Sequence, residues 1–201
     1  MKKFLSIVLV CVMLFAFTAI GTSAISTHMV EKGDSLWRIA VKYQVGLSEI
    51  KAANPTIKNY DLIYPGQIIN VPSVSSSVTA FEDEVVRLVN EIRISHGLKP
   101  LTQDWQLSRV ARYKSQDMRD LGYFSHNSPT YGSPFNMMKS FGITYRTAGE
   151  NIAKGYSTPK AVVDAWMNST GHRANILNSS YTHIGVGYIS SGHYWTQLFK
   201  S

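Results

Sequence analysis

The spacing of hydrophobic and polar positions changes several times along the chain, and each change marks an expected element. Lys2 and Lys3 precede an apolar run over 4–20 that closes on Gly21-Thr22-Ser23-Ala24. A basic start, an apolar stretch and a small-residue end are the parts of an export signal, so 1–24 reads as a signal peptide cut after Ala24. An uncleaved anchor helix is the alternative, since the run is just long enough to cross a bilayer. Beyond it, Met29-Val30 is a short strand signal and Glu31-Lys32-Gly33-Asp34 a turn. Leu36, Ile39, Ala40 and Tyr43 then recur at helical spacing behind Ser35 as a cap. Ser48 is placed to cap a second helix with Ile50 and Ala53 inward, ended by Asn54-Pro55. A turn over 62–67 feeds a strand over 68–72, so the unit 28–72 reads strand, helix, helix, strand.

Ser73-Val74-Ser75-Ser76-Ser77-Val78-Thr79-Ala80 breaks the periodicity. It is expected to be a flexible joint spanning about 16 Å. Helical period returns at Phe81, Val85, Leu88, Val89 and Ile92, and His96-Gly97 ends it. Asp104 starts a second helix that stops at Gly122, Ser133-Pro134 a third, and Thr158-Pro159 a fourth. Two strands close the chain, over 182–189 and 194–199. Helices flanking a small antiparallel sheet give an α+β sandwich over 81–201.

Composition is that of an ordinary globular chain, 44% hydrophobic and 16% charged, which excludes wholesale disorder. Removing Lys2 and Lys3 with the signal lowers the formal charge from +7 to +5. For an exported protein the matching anions are wall polymers or lipid headgroups, although a solubilising charge explains the excess equally well. Basic residues do not cluster with aromatics and no nucleic-acid motif is present, so no nucleic-acid partner is expected. The sole cysteine, Cys11, lies in the signal, leaving an exported chain without disulfides or thiolate chemistry. That pattern suits a Gram-positive bacterium. No later segment is apolar enough to span a membrane, so no stable insertion is expected once the signal is cut.

Three spaced motifs in the first unit agree in order and separation. They are the run from Val30 through Gly33-Asp34-Ser35-Leu36-Trp37 to Ala40, then Ile50-Lys51-Ala52-Ala53-Asn54-Pro55, then Tyr64-Pro65-Gly66-Gln67-Ile68-Ile69-Asn70-Val71-Pro72. Together they resemble a LysM domain over its full βααβ length. The resemblance implies binding of N-acetylglucosamine-containing glycan, such as peptidoglycan, in a groove between two loops. It puts Gly33, Asp34, Ser35 and Leu36 on one side, with Asn54, Leu62, Ile63 and Tyr64 on the other. Turn and capping chemistry alone would also account for several of these residues.

In the second unit, Phe124-Ser125-His126-Asn127, Gly149-Glu150-Asn151-Ile152-Ala153, Gly171-His172-Arg173-Ala174-Asn175-Ile176-Leu177 and Ile184-Gly185-Val186-Gly187-Tyr188 together resemble the CAP (SCP-like) superfamily. The resemblance implies an α–β–α sandwich whose cleft gathers two histidines and two acids, the histidines able to hold a divalent metal such as zinc. By position His126 and His172 are the histidines and Glu150 the first acid. The second acid falls on Ser169, which carries no charge, and this weakens a hydrolytic reading that needs two carboxylates.

Three readings follow, the last being the lipid or sterol carriage that the CAP resemblance also implies. In the first, a monomeric protein secreted to the extracellular space, cell wall or spore surface is tethered to glycan by LysM and presents the CAP domain as an interaction module. In the second, His126, His172 and Glu150 form the cleft of a metal-dependent hydrolase of peptide or wall substrates. A buried polar network of the same three side chains, fixing loops around a binding cleft, is as serious an expectation as a zinc site. His28, His96, His183 and His193 are read as structural, and Asn175 as a donor to backbone carbonyls.

Overall fold

A computed structural model describes residues 24–201 of the chain; the expected export signal lies outside the described residues except for Ala24. The first module is β1 (Ala24–Met29), α1 (Leu36–Lys42), α2 (Leu47–Ala53) and β2 (Ile68–Ser73), in the expected order. Its strands pair antiparallel, from Ala24 opposite Ser73 to Met29 opposite Ile68. Ser35 caps α1 by accepting from the Arg38 amide, and Leu36, Ile39 and Ala40 turn inward onto Ile50, Ile69 and Val71. The N-cap of α2 is Gly46, not Ser48, whose hydroxyl instead bonds Glu49.

The expected eight-residue joint is not a loop. β2 runs through Ser73 and α3 (Ser76–Ser95) starts three residues later, leaving only Val74 and Ser75 between them. Ser75 accepts from the Val78 amide as an N-cap, and Val78 and Phe81 pack on the large core of the second module. Reading serine as linker composition overlooked its capping role and the apolar pair behind it.

The second module continues with β3 (Thr102–Gln103), α4 (Trp105–Asp120), α5 (Pro134–Ser140), β4 (Ala148–Lys154), α6 (Pro159–Met167), α7 (Thr170–Ile176), β5 (His183–Ile189) and β6 (Tyr194–Lys200). The sheet order is β3-β5-β6-β4, with β3 parallel to β5 and the other pairs antiparallel, so the sheet is mixed rather than wholly antiparallel. Strand alternation divides the residues between two helical layers. Ile184, Val186, Tyr188, Trp195 and Phe199 face α3 and α6, where Val85, Val89, Val162 and Trp166 are buried. Leu198 faces α4 and α5, against Leu107, Val110, Ala111, Met137 and Met138. Gly185 and Gly187 lie on that second face and let the α4 backbone approach the sheet. The result is the α–β–α sandwich of an α+β protein. Among the described residues no helix is long and apolar enough to cross a membrane.

Candidate functional site

The cleft of the second module is built around the edge strand β4. Its successive residues point into opposite layers: Glu150 pairs across from Leu198 and faces α4, while Asn151 pairs across from Gln197 and faces α7. Beyond α4, Gly122 adopts φ +67 and turns the chain back over the helix. Lys114, buried in α4, pins the returning loop by donating to Tyr123 Oη at 3.0 Å, Ser125 O at 2.7 Å and His126 O at 3.1 Å. Asp117 accepts from Tyr123 Oη, and from Ser128 Oγ and Thr130 Oγ1 at 2.7 Å each.

Held in this way, His126 places Nδ1 2.7 Å from Glu150 Oε1. The Glu150 side chain is 2% exposed and that of His126 54% exposed, so the pair joins a buried acid to a solvent-facing base. Burial pushes the Glu150 carboxyl above the ordinary range, against the opposing pull of the His126 bond and the nearby Lys114 charge. Glu150 Oε2 is buried with no hydrogen-bond partner among the described residues.

His172 arrives from the other layer. Asn151 Nδ2 donates to His172 O at 3.1 Å and to Gln197 Oε1 at 2.9 Å. Asn175 Nδ2 donates to Glu150 O at 3.1 Å and to Asn151 Oδ1 at 2.8 Å, which is the carbonyl-bonding role expected of it. Burial, and then the charge of His126, hold His172 below the ordinary imidazole range, favouring its neutral form. His172 and Ser169 line a cleft of about 290 Å³ together with Phe124, Ile152, Tyr156 and Trp166. Ser169 is the N-cap residue of α7, yet its side chain makes no capping bond.

Two of the sequence-predicted trio form a bonded pair, His126–Glu150, while His172 lines the cleft with Ser169, near enough for the His126 charge to act on it. The two imidazoles fall short of the three protein ligands of a catalytic zinc. Among the described residues no three His, Cys, Asp or Glu side chains are grouped to hold a metal ion. The remaining histidines have bonded places of their own: His28 with Tyr43 and Asp34, His96 with Ile92 O, His183 with Thr182, and His193 with Tyr188.

On the first module a groove of about 200 Å³ lies between the loop at Asp34-Ser35 and the loop at Tyr60-Asp61-Ile63. Asp34, Ser35, Leu36 and Ile63 line it, and Leu62 and Tyr64 stand exposed on the loop that carries Ile63. Gly33 sits in the turn at φ +95. Asp34 is tied by its own bonds to His28 Nε2 and the Glu31 amide, which hold its carboxyl below the ordinary range. Asn54 is a correction. Its buried amide is spent on Ile50 O, Asn70 O and the Asn70 amide, bracing α2 against β2 rather than facing the groove. Trp37, 63% exposed and lining the groove, was given no role in the sequence reading. Its signal was available: it falls about 100° round the helix from Leu36, off the centre of the face shared by Leu36, Ile39 and Ala40, where an aromatic ring has no core to fill.

An α–β–α sandwich whose edge strand carries a glutamate bonded to a loop histidine, joined to a βααβ module, defines a two-module CAP protein. The chain belongs to the CAP family, the Cysteine-rich secretory protein family, whose profile matches residues 86–199, and the LysM domain profile matches residues 28–72. It is 66% identical over 127 residues to YkwD of Bacillus subtilis, covering 63% of this chain and 49% of that protein. SpoIVD-associated factor A of Bacillus subtilis is 56% identical over 46 residues, 23% of this chain and 12% of that protein. N-acetylmuramoyl-L-alanine amidase sle1 of Staphylococcus epidermidis is 31% identical over 88 residues, 44% of this chain and 26% of that protein. Among solved structures, an extracellular protein containing a SCP domain from Bacillus anthracis str. Ames has a TM-score of 0.60 at 35% identity, covering 68% of this chain and 47% of that one. The chain spans about half the length, or less, of the curated relatives it matches.

Proposed function

We propose that this chain is an exported, monomeric protein of the bacterial wall or spore surface. It holds N-acetylglucosamine-containing glycan in the LysM groove and presents the CAP cleft as an interaction surface. The observation that carries the reading is the groove itself: an exposed indole, Trp37, set beside polar Asp34, Ser35 and Lys51. Aromatic faces take the apolar side of a sugar ring, while polar neighbours and turn amides bond its hydroxyl and acetamido groups. Relatives named as a spore coat assembly protein and an N-acetylmuramoyl-L-alanine amidase support the location. The test is co-sedimentation of the mature chain with insoluble peptidoglycan. Wild type and Glu150→Ala are expected in the pellet, and Trp37→Ala or Ile63→Asp largely in the supernatant. Wild-type protein left in the supernatant would refute the proposal.

One observation favours hydrolysis in the CAP cleft as a second reading. Glu150 combines a raised proton affinity with an unpartnered buried oxygen beside a solvent-facing imidazole, the setting of a general acid or base. Release of wall fragments that disappears in Glu150→Gln would establish it, and equal release by both chains would end it. The zinc implied by family resemblance belongs to this reading as a weak ion on His126 Nε2 and His172.

A further inference from the structure

We infer that the α2 face of the LysM module is a docking surface for this chain's own CAP domain, so that glycan groove and CAP cleft keep one fixed mutual orientation. Glu49 of α2 is gripped from α4: its Oε1 accepts from Arg109 Nε at 2.6 Å and Tyr113 Oη at 2.8 Å, and its Oε2 from Arg109 Nη2 at 2.9 Å. Arg109 Nη2 also donates to Ser48 Oγ at 3.0 Å. The guanidinium is set in place from its own side, 5.1 Å from the Phe141 ring centre and 5.6 Å from that of Tyr113. A two-pronged arginine–carboxylate contact with both side chains mostly covered, 17% and 24% exposed, is the geometry in which an ion pair holds.

An independent observation is the identity of residue 46. Gly46 caps α2 at φ −76, a conformation open to any residue, in a position where serine, asparagine or aspartate caps better. A Cβ there would stand 1.9 Å from Glu49 Oε2 and 2.1 Å from Arg109 Nη2. The LysM module thus carries a glycine where the other module's guanidinium needs the space. The joint of Val74 and Ser75 keeps the two faces at high effective concentration. Leu47 and Lys51 of the same short helix line the glycan groove. A strand bound there would present the CAP cleft at constant reach and angle, a consequence that rests on the glycan proposal while the docking does not.

The test is backbone amide relaxation on the full mature chain. Wild type is expected to show one rotational correlation time for both modules. In Glu49→Ala/Arg109→Ala the 28–72 amides should relax with a correlation time at least about twofold shorter than the CAP amides. Two correlation times in wild type, or one in the double variant, would overturn the inference. Gly46→Ala displaces the movable ends of Glu49 and Arg109 and should loosen the 28–72 amides less than the double variant does, and a Gly46→Ala chain that tumbles as wild type does would remove the role assigned to that glycine. Peptidoglycan retention is measured on the same samples: no retention with a single correlation time sinks the glycan proposal and leaves docking intact.

Discussion

Gly187→Ala is expected to lift α4 off the sheet. A Cβ on Gly187 would stand 2.1 Å from the Arg112 amide nitrogen, 2.2 Å from the Ala111 carbonyl carbon and 2.6 Å from its oxygen. All three are backbone atoms, so no rotamer change relieves the clash. Restoring ordinary contact at about 3.5–4 Å makes the helix retreat by more than about 1 Å. A gap of that size forfeits roughly a quarter to a half of each dispersion contact across it, about 1 kcal/mol for an aliphatic side chain with some 20 such contacts. Leu107 and Val110 face the sheet fully buried and lose about that much each, with less from the single methyl of Ala111, so the loss is about 2–3 kcal/mol, within the upper part of the usual overpacking range. The bonds from the Val186 amide to Ser108 Oγ, 3.3 Å, and from Ser115 Oγ to Gly187 O, 3.0 Å, would lengthen with it. Urea unfolding reads the effect as a lower midpoint at unchanged slope. Gly171→Ala is the companion, since its Cβ would meet nothing within 4 Å in α7. It is expected to be neutral or to stabilise by up to about 1 kcal/mol. A Gly187→Ala chain that unfolds at the wild-type midpoint would refute the reasoning. Because α4 carries Lys114, the retreat should also disturb the His126–Glu150 contact, visible in the His126 ring resonances.

Glu150→Gln should alter the pH dependence of stability. Burial raises the folded-state value of this carboxyl, so between the ordinary glutamate value and the raised one the folded chain keeps a proton that the unfolded chain has lost. Stability then falls as pH rises through that interval, and Glu150→Gln should flatten the fall; parallel slopes for the two chains in urea titrations would refute it. Asn54→Ala should cost about 1–3 kcal/mol through the backbone partners it abandons, without weakening peptidoglycan retention by the folded fraction. Lost retention at wild-type stability would return Asn54 to the groove. Zinc added to the metal-free chain should bind weakly in a calorimetric titration and not at all in His126→Ala or His172→Ala. Tight uptake that survives either change would place the metal elsewhere.

Elements bearing both a cap and a period were legible in the sequence. Ser35, Asp104, Ser133-Pro134 and Thr158-Pro159 each open a helix where expected. β4 was not recognised as a strand because Gly149-Glu150-Asn151 offers no alternation of apolar and polar residues. The structure supplies the reason. Gly149 lies where a Cβ would meet Tyr181 Oη at 2.4 Å, and the next two residues are polar because each bonds a different layer. The short joint was missed for a related cause: the partner that orders it, the core beneath Val78 and Phe81, lies far away in sequence.

The same alternation explains why the site could not be read from spacing. His126, Glu150 and His172 are too far apart along the chain for their separations to carry chemistry, and only family resemblance brought them together. In the fold, two adjacent residues of one edge strand do the gathering. Glu150 turns to the α4 layer and takes the imidazole of His126, while Asn151 turns to the α7 layer and takes the backbone of His172. A polar Glu-Asn pair is costly in a buried strand unless both faces supply partners, so its presence there already argues for a site at that edge. Ser169 shows what the departure from the four-residue pattern does. The cleft beside His172 has Ser169 in its lining and no carboxylate there, while Glu150 is buried outside that lining with its Oε2 unpartnered among the described residues. A single acid whose proton affinity is raised by burial serves recognition of a hydrogen-bonding partner as well as it serves proton transfer. That is why retention on glycan and loss of wall fragments in Glu150→Gln must be measured on the same chain.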